Sequence, residues 1–149
     1  MLFRSAIFTE IALRGFRAFA AELGAPVRSD DDRDIATRLL ERYVDFALEN
    51  KGYFRVMFRS DLCRFNQSPE LQEAADAAFD ILIDAVSEIV GPDASVNDIR
   101  TVATSIWSTA HGLSTLLIDG PLEVKIGSVL NRRELIRAVA QQTRFVAGS

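Results

Sequence analysis

The chain has 149 residues, of which 48% are hydrophobic and 26% charged, and its formal net charge is −4 at pH 7. This length and composition are those of one globular domain with its own core, and the negative charge argues against a surface that grips nucleic acid electrostatically. The single cysteine, Cys63, excludes an internal disulfide and a cysteine-based metal cluster, and it fits a reducing, cytoplasmic setting.

The sequence shows no sign of membrane insertion or export. The N-terminal residues have no long apolar run ahead of a cleavage site, so we expect no signal peptide. The eighteen residues 101–118 carry no charged side chain, but eight of them are Ser, Thr or His, which is too polar for a lipid-facing helix. We therefore expect no membrane association.

Helical periodicity dominates from the start of the chain. The first predicted helix runs from about Leu2 to Leu23, with one aromatic-rich apolar face, and ends before a Gly-Ala-Pro segment. After a polar loop, residues 30–32 offer acidic caps for a second helix that reaches about Asn50. Its apolar arc should face the core, and its charged side chains, Glu41 among them, should lie on the opposite face.

Four further helices follow, and each long one begins at a capping residue. Gly52 interrupts the pattern before a short helix over residues 53–58. The caps of the long helices are Ser68 followed by Pro69, Ser95 with Asp98, and Asn131 with Glu134. These helices run to about residues 90, 119 and 146. The sequence thus predicts one all-α domain over residues 1–149, with five long helices and one short helix.

The fifth helix contains "IWSTAHGLSTLLIDG" at residues 106–120 and carries small, uncharged groups where a solvated helix carries charges. Its second face is formed by Thr101, Thr104, Ser105, Ser108, Thr109, Gly112 and Thr115. Small residues allow two helix backbones to approach closely. This face should therefore be covered, either by a second layer of the same chain or by the same helix of a second subunit.

The last helix favours the second arrangement. It is amphipathic, and its basic face, which includes Arg137, is interpreted as solvated surface. Two such helices from each of two chains would form a four-helix interface. We therefore predict a homodimer. The predicted interface residues are Ser105, Ser108, Thr109, Gly112, Leu116, Leu135, Val139 and Val146.

Trp107 and His111 lie four residues apart and therefore share one edge of the fifth helix. They could be a core tryptophan and a hydrogen-bonded core histidine, or they could line a cavity. Nine of the ten phenylalanines lie in residues 1–79, and stiff aromatic side chains that meet between helices can leave a shaped apolar void. Such a void with a few polar groups is typical of a small-molecule site, with Tyr43, His111 and Ser114 as candidate polar groups.

We find no pattern that indicates an enzyme. The one histidine has no second histidine to pair with, and no Gly-rich phosphate loop is present. Asp76 and Asp80 lie on a helix face that we interpret as solvated. We expect no catalytic residues, no metal and no cofactor.

Three segments resemble a known family. "EIALRGFRAFAAEL" (10–23), "YVDFALENKGYFRVMF" (43–58) and "WSTAHGLSTLLIDG" (107–120) are similar to the ligand-binding and dimerisation domain of TetR-type transcriptional regulators. The similarity is greatest to the subgroup named for a Trp-x-x-x-His-Gly motif, here Trp107, His111 and Gly112. Together these segments extend the resemblance over nearly the whole chain.

The resemblance implies a helical bundle that dimerises through its last two helices and binds a small apolar or aromatic effector. Residues 1–24 would be the helix that connects to a helix-turn-helix head. We find no such head ahead of Phe8, so we expect no direct binding of operator DNA by this chain as given. The implied effector-binding residues are Phe16, Phe19, Tyr43, Phe54, Met57, Phe58, Phe79, Trp107 and His111. The alternatives are a stand-alone small-molecule binding protein and a structural dimerisation module with a filled core.

Overall fold

The computed structural model describes residues 2–120, 122, 125 and 131–147, with the side chains of residue 2 and of residues 144–147 left out of the description. Within these residues the chain forms six α-helices, five long and one short, which confirms the predicted all-α class. The helices are α1 (Leu2–Leu23), α2 (Ile35–Glu49), α3 (Lys51–Met57), α4 (Pro69–Val90), α5 (Val96–Asp119) and α6 (Arg132–Ala147). Among the described helices, none has the length and apolarity needed to cross a membrane.

Two local features differ from the sequence-based prediction. Gly52 lies inside α3, which already begins at Lys51, so the break falls at Asn50 instead. A short 3₁₀ turn, Phe65–Gln67, precedes α4 and had no periodic signal to reveal it. The segment between α5 and α6, which we expect from the sequence to be a loop of about ten residues, lies outside the described residues except at residues 122 and 125, which are helical.

The predicted caps hold at three helices and fail at one. Ser68 caps α4, Ser95 and Asp98 form a reciprocal capping box on α5, and Asn131 and Glu134 cap α6. At α2 the cap is Asp34, whose carboxylate accepts from the Thr37 backbone N–H at 3.0 Å, so the prediction of residues 30–32 was wrong. Asp31 is instead engaged by the backbone and side chain of Arg33 within the preceding loop. A side-chain cap of this kind stabilises a helix by about 1 kcal/mol.

Helix α2 is the central element, because it packs against α1, α4, α5 and α6. Its apolar arc, including Leu39, Tyr43 and Phe46, is buried as predicted. The core continues through the aromatic face of α1, where Phe16 and Phe19 are each 5% exposed. A smaller apolar cluster joins α4 to α5 through Val86 and Ile106.

The prediction that Glu41 lies on a solvated face was wrong. Its side chain is buried, and the residue is 2% exposed. Arg137 of α6 donates from Nε to one carboxylate oxygen at 3.0 Å, and the guanidinium of Arg33 contacts the other. The burial of a charge is tolerated only when it is paired and hydrogen-bonded, as here. This ion-paired triad joins the loop before α2, α2 itself and α6, and it gives Arg137 a partner that its sequence pattern did not indicate.

Helix α5 has one covered face and one open face. Ala103, Ile106, Ala110 and Leu113 are buried against α2 and α4. The hydroxyl-bearing face is covered by no helix in the described part of the subunit, and a Cβ added to Gly112 would meet no atom within 4 Å. Among the described residues, no second layer of the same chain covers this face. The homodimer stays a prediction.

Helix α6 meets the core mainly through positions next to the residues that we predicted at the dimer interface. Ile136 and Ala140 are each 1% exposed, whereas Leu135 and Val139 are only partly buried against the same core. The side chain of Val146 lies outside the described residues. The strip of α6 that meets α2 is thus centred one position beyond Leu135 and Val139, which leaves part of these two predicted interface residues at the surface.

Candidate functional site

A cavity of about 470 Å³ lies between α1, α2, α4 and α5 and is closed at one side by the end of α3. The structure brings seven of the nine predicted effector-binding residues to its wall. They are Phe16, Phe19, Tyr43, Met57, Phe58, Phe79 and Trp107. Phe65 of the 3₁₀ turn also lines the cavity, and sequence reasoning missed it because this turn carries no helical periodicity.

The other two predicted residues, Phe54 and His111, line a separate cavity of about 230 Å³. Phe58 lies on the wall of both cavities and so separates them. His111 follows Trp107 by one helical turn, and its ring packs against Phe54 and Phe58 with centroids 5.0 and 4.8 Å apart. Trp107 and His111 share a helix edge, as predicted, but they line different cavities, with Phe58 between the two.

Edge-to-face aromatic contacts hold the walls of the main cavity. Phe19 meets Tyr43 at a centroid distance of 4.9 Å and an interplanar angle of 90°, and Phe16 meets Phe58 at 5.4 Å and 79°. Such pairs contribute about 0.5–1.5 kcal/mol each beyond area burial. Because these rings pack against one another, their rotation into the cavity is restricted. The cavity is thus a consequence of stiff side chains meeting at fixed angles.

Tyr43 links the two motif residues through its hydroxyl group. Trp107 Nε1 donates to the Tyr43 oxygen at 3.2 Å, and the same oxygen lies 2.9 Å from His111 Nδ1. Since the indole N–H can only donate, all three groups are satisfied when the Tyr43 O–H donates to Nδ1. This arrangement places the histidine proton on Nε2 and fixes the neutral tautomer.

The burial of Tyr43 and His111 favours the neutral form of both side chains. Burial raises the pKa of Tyr43 well above its usual value, against a smaller opposing effect of the Trp107 hydrogen bond. Burial also lowers the pKa of His111. Tyr43 is 6% exposed, so its ring and its engaged hydroxyl present an uncharged surface to the main cavity.

Ser114, the third predicted polar group, lines neither cavity. It is fully buried, and its hydroxyl has no hydrogen-bond partner among the described residues. The charged group that does line the main cavity is Asp76, which was predicted to be solvated and is indeed exposed. Its position three residues before Phe79, on the same helix edge, is the signal that could have placed it at the cavity.

The mouth of the main cavity lies between α4 and α5, where two lining residues are exposed to solvent. Phe79 of α4 is 39% exposed and Trp107 of α5 is 38% exposed, with ring centroids 5.8 Å apart. Asp76 completes the α4 side of this opening. A cavity of this size with apolar walls, a solvent-open mouth and few polar groups is suited to reversible binding of a small organic molecule.

A family model described as the tetracyclin repressor-like C-terminal domain matches residues 36–141, which extend from the first turn of α2 into α6. No curated protein matches the sequence significantly. The match covers most of the chain and contains Tyr43, Trp107 and His111 with their hydrogen bonds. The chain therefore belongs to the TetR family of regulators, with residues 36–141 forming its C-terminal domain.

Proposed function

We propose that this chain is the effector-binding and dimerising domain of a cytoplasmic TetR-type transcriptional repressor of the Trp-x-x-x-His-Gly subgroup. It senses a small apolar or aromatic molecule. The observation that carries the proposal is the cavity of about 470 Å³ walled by aromatic side chains in edge-to-face and tilted contact. A space of this volume is in the range that binds small ligands, and its walls match an apolar or aromatic one.

The motif residues support a sensing role. Trp107 lies at the cavity mouth and is hydrogen-bonded to Tyr43, which in turn contacts His111 of the neighbouring cavity. A ligand that displaces any of these rings changes the position of α5 relative to α2. Helix α1 contributes Phe16, Phe19 and Leu23 to the same wall, which suits it to connect an effector site to a DNA-binding head.

The open face of α5 supports a homodimer. Ser108, Gly112 and Leu116 are exposed in the single subunit, and Leu116 is 44% exposed. Small residues around one large apolar side chain suit close packing against the same helix of a second copy. Leu135 and Val139 of α6, which are only partly buried, would extend that interface.

Two other functions remain as alternatives. A stand-alone binding protein would use the same cavity without any role at DNA, and an in-frame helix-turn-helix segment encoded just upstream would argue for the repressor instead. A structural dimerisation module would need a filled core, and the aromatic cavity argues against that reading.

The test is a thermal-shift screen against small aromatic compounds, with Trp107 fluorescence as a second readout. Binding to the folded state raises the melting temperature, because a ligand at about one hundred times its Kd adds about 2.7 kcal/mol to the free energy of unfolding. The variant Ala78→Leu, which places a larger side chain in the cavity wall, should abolish the shift. Ala77→Leu on the exposed side of α4 is the matched control. An equal response of both variants would place the ligand elsewhere.

A further inference from the structure

We propose that the cavity selects an organic cation, an amine or ammonium compound whose apolar body enters the cavity and whose charge is held at the mouth by Asp76. This inference rests on the proposed function and names the class of effector. It goes beyond an apolar or aromatic molecule because it assigns a charge and a partner for that charge.

The first observation is the placement of Asp76. Of the described residues that line the main cavity, Asp76 is the one with a formal charge. No ion pair and no hydrogen bond engages its carboxylate in the described part of the chain, whereas the loop carboxylates Asp31 and Asp61 are each held by an arginine. A carboxylate beside an apolar cavity is complemented by a cation that brings its own hydrophobic body.

The second observation is the aromatic rim. Phe79 and Trp107 are inclined at 58° with centroids 5.8 Å apart, and both are partly open to solvent. Behind them, Phe58 lies 6.1 Å from Trp107. Ring faces carry negative electrostatic potential and attract cations within about 6 Å of their centroids, most strongly at tryptophan. The carboxylate and the rings therefore favour the same sign of charge at the same opening.

The third observation is that the described wall of the cavity lacks positively charged side chains that could bind an anion. No arginine, lysine or histidine lines it among the described residues, and His111 and the nearby guanidinium groups face the second cavity. The Tyr43 hydroxyl is engaged by Trp107 and His111. An anionic effector would meet Asp76 without a compensating donor, and a neutral one could gain only a hydrogen bond to the carboxylate and no charge pairing.

Three probes of nearly the same shape test the inference: 4-biphenylmethylamine, 4-biphenylmethanol and 4-biphenylcarboxylate. Their Kd values are measured by calorimetry and by Trp107 fluorescence on the whole chain. We expect the amine to bind about five- to tenfold more tightly than the alcohol, and the carboxylate to bind most weakly. In Asp76→Asn the preference for the amine should fall to about two- to threefold, because only the cation–π attraction of the rings remains.

Asp80→Asn is the matched control, since Asp80 lies one turn further along α4, is exposed and does not line the cavity. It should leave the preference for the amine unchanged. If the alcohol binds as tightly as the amine, or if both variants lose the preference equally, the cation assignment is overturned while the effector-binding function stands. If none of the probes binds and no other aromatic compound raises the melting temperature, both proposals fail.

Discussion

At the scale of single residues, we expect the partial burial of His111 to make the stability of the fold depend on pH. Burial lowers the pKa of His111 in the folded protein, so the unfolded chain takes up a proton at a higher pH than the folded chain does. The contribution of His111 to the free energy of unfolding is therefore fully present above pH 7. It is lost as the pH falls through the unfolded value of about 6.5 towards the lower folded value. A proton on Nδ1 would also remove the acceptor that Tyr43 uses.

Urea unfolding at pH 7.5, 6.5 and 5.5 checks this prediction. The wild-type protein should lose stability across the series, and His111→Asn should lose clearly less of it, because the chain has no other histidine. The variant will be less stable overall, so the comparison rests on the slope with pH and not on the absolute value. Parallel slopes for the two proteins would mean that the imidazole does not titrate as its burial indicates.

The spacing of Trp107 and His111 was enough to predict that they share a helix edge. The aromatic content of residues 1–79 indicated a cavity as one of two possibilities, the other being a filled core. The division into two cavities could not be foreseen. It depends on where Phe58 lies, and on Tyr43 meeting residues 64 and 68 positions further along the chain. Periodicity identifies which face of a helix is apolar, but it does not specify which distant side chain meets it.

At the scale of helices, α1 and α3 approach each other at Gly15. A Cβ added there would lie 2.6 Å from Met57 Cγ and Sδ and 3.2 Å from Tyr53 Cβ, so the buried Met57 side chain would have to shift towards the main cavity that it lines. We expect Gly15→Ala to lower the free energy of unfolding by about 1–3 kcal/mol, because overpacking outweighs the gain in helix propensity. Gly52→Ala in α3, where the new Cβ meets nothing within 4 Å, should raise it by about 0.5–1 kcal/mol. Urea titrations should show the two shifts with opposite signs, and stabilisation by Gly15→Ala would refute the close approach.

The triad of Arg33, Glu41 and Arg137 fixes α6 against α2. Replacing Glu41 with Gln removes the shared charge, and we expect a loss of about 1–3 kcal/mol. The loss is kept below that of a fully buried pair because both guanidinium groups retain access to water. Glu49→Gln, at an exposed position of the same helix, should change stability by less than about 0.5 kcal/mol. Equal effects in chemical denaturation would show that the buried carboxylate does not stabilise the junction.

Local chemistry explains which elements could be predicted. The starts of α4, α5 and α6 were found because each cap and its partner lie within three residues of one another. Glu41 was misplaced because its ion pair with Arg137 spans 96 positions, and such a pair leaves no periodic signal. The cap of α2 was missed because several acidic residues compete in one loop, and only the folded loop determines that Asp34 is the one in place.

At the scale of the whole molecule, the open face of α5 predicts a dimer in solution. A Cβ at Gly112 meets none of the described residues within 4 Å, so we expect an effect of Gly112→Leu on assembly to come from a second copy. Light scattering coupled to size-exclusion chromatography should find a dimer for the wild-type protein and a monomer for Gly112→Leu. Gly52→Leu, at an exposed glycine of another helix, should remain dimeric. An unchanged dimer for Gly112→Leu would place the interface on a different surface.

Helix α1 extends well beyond the cavity that it helps to form. Its second half supplies Phe16, Phe19 and Leu23 to the wall, while Phe3 and Ile7 near its start are 87% and 58% exposed. At a rise of 1.5 Å per residue, Phe3 is about 24 Å from Phe19 along the axis. A tilt of α1 by about 5° about the aromatic rings would therefore move Phe3 by about 2 Å.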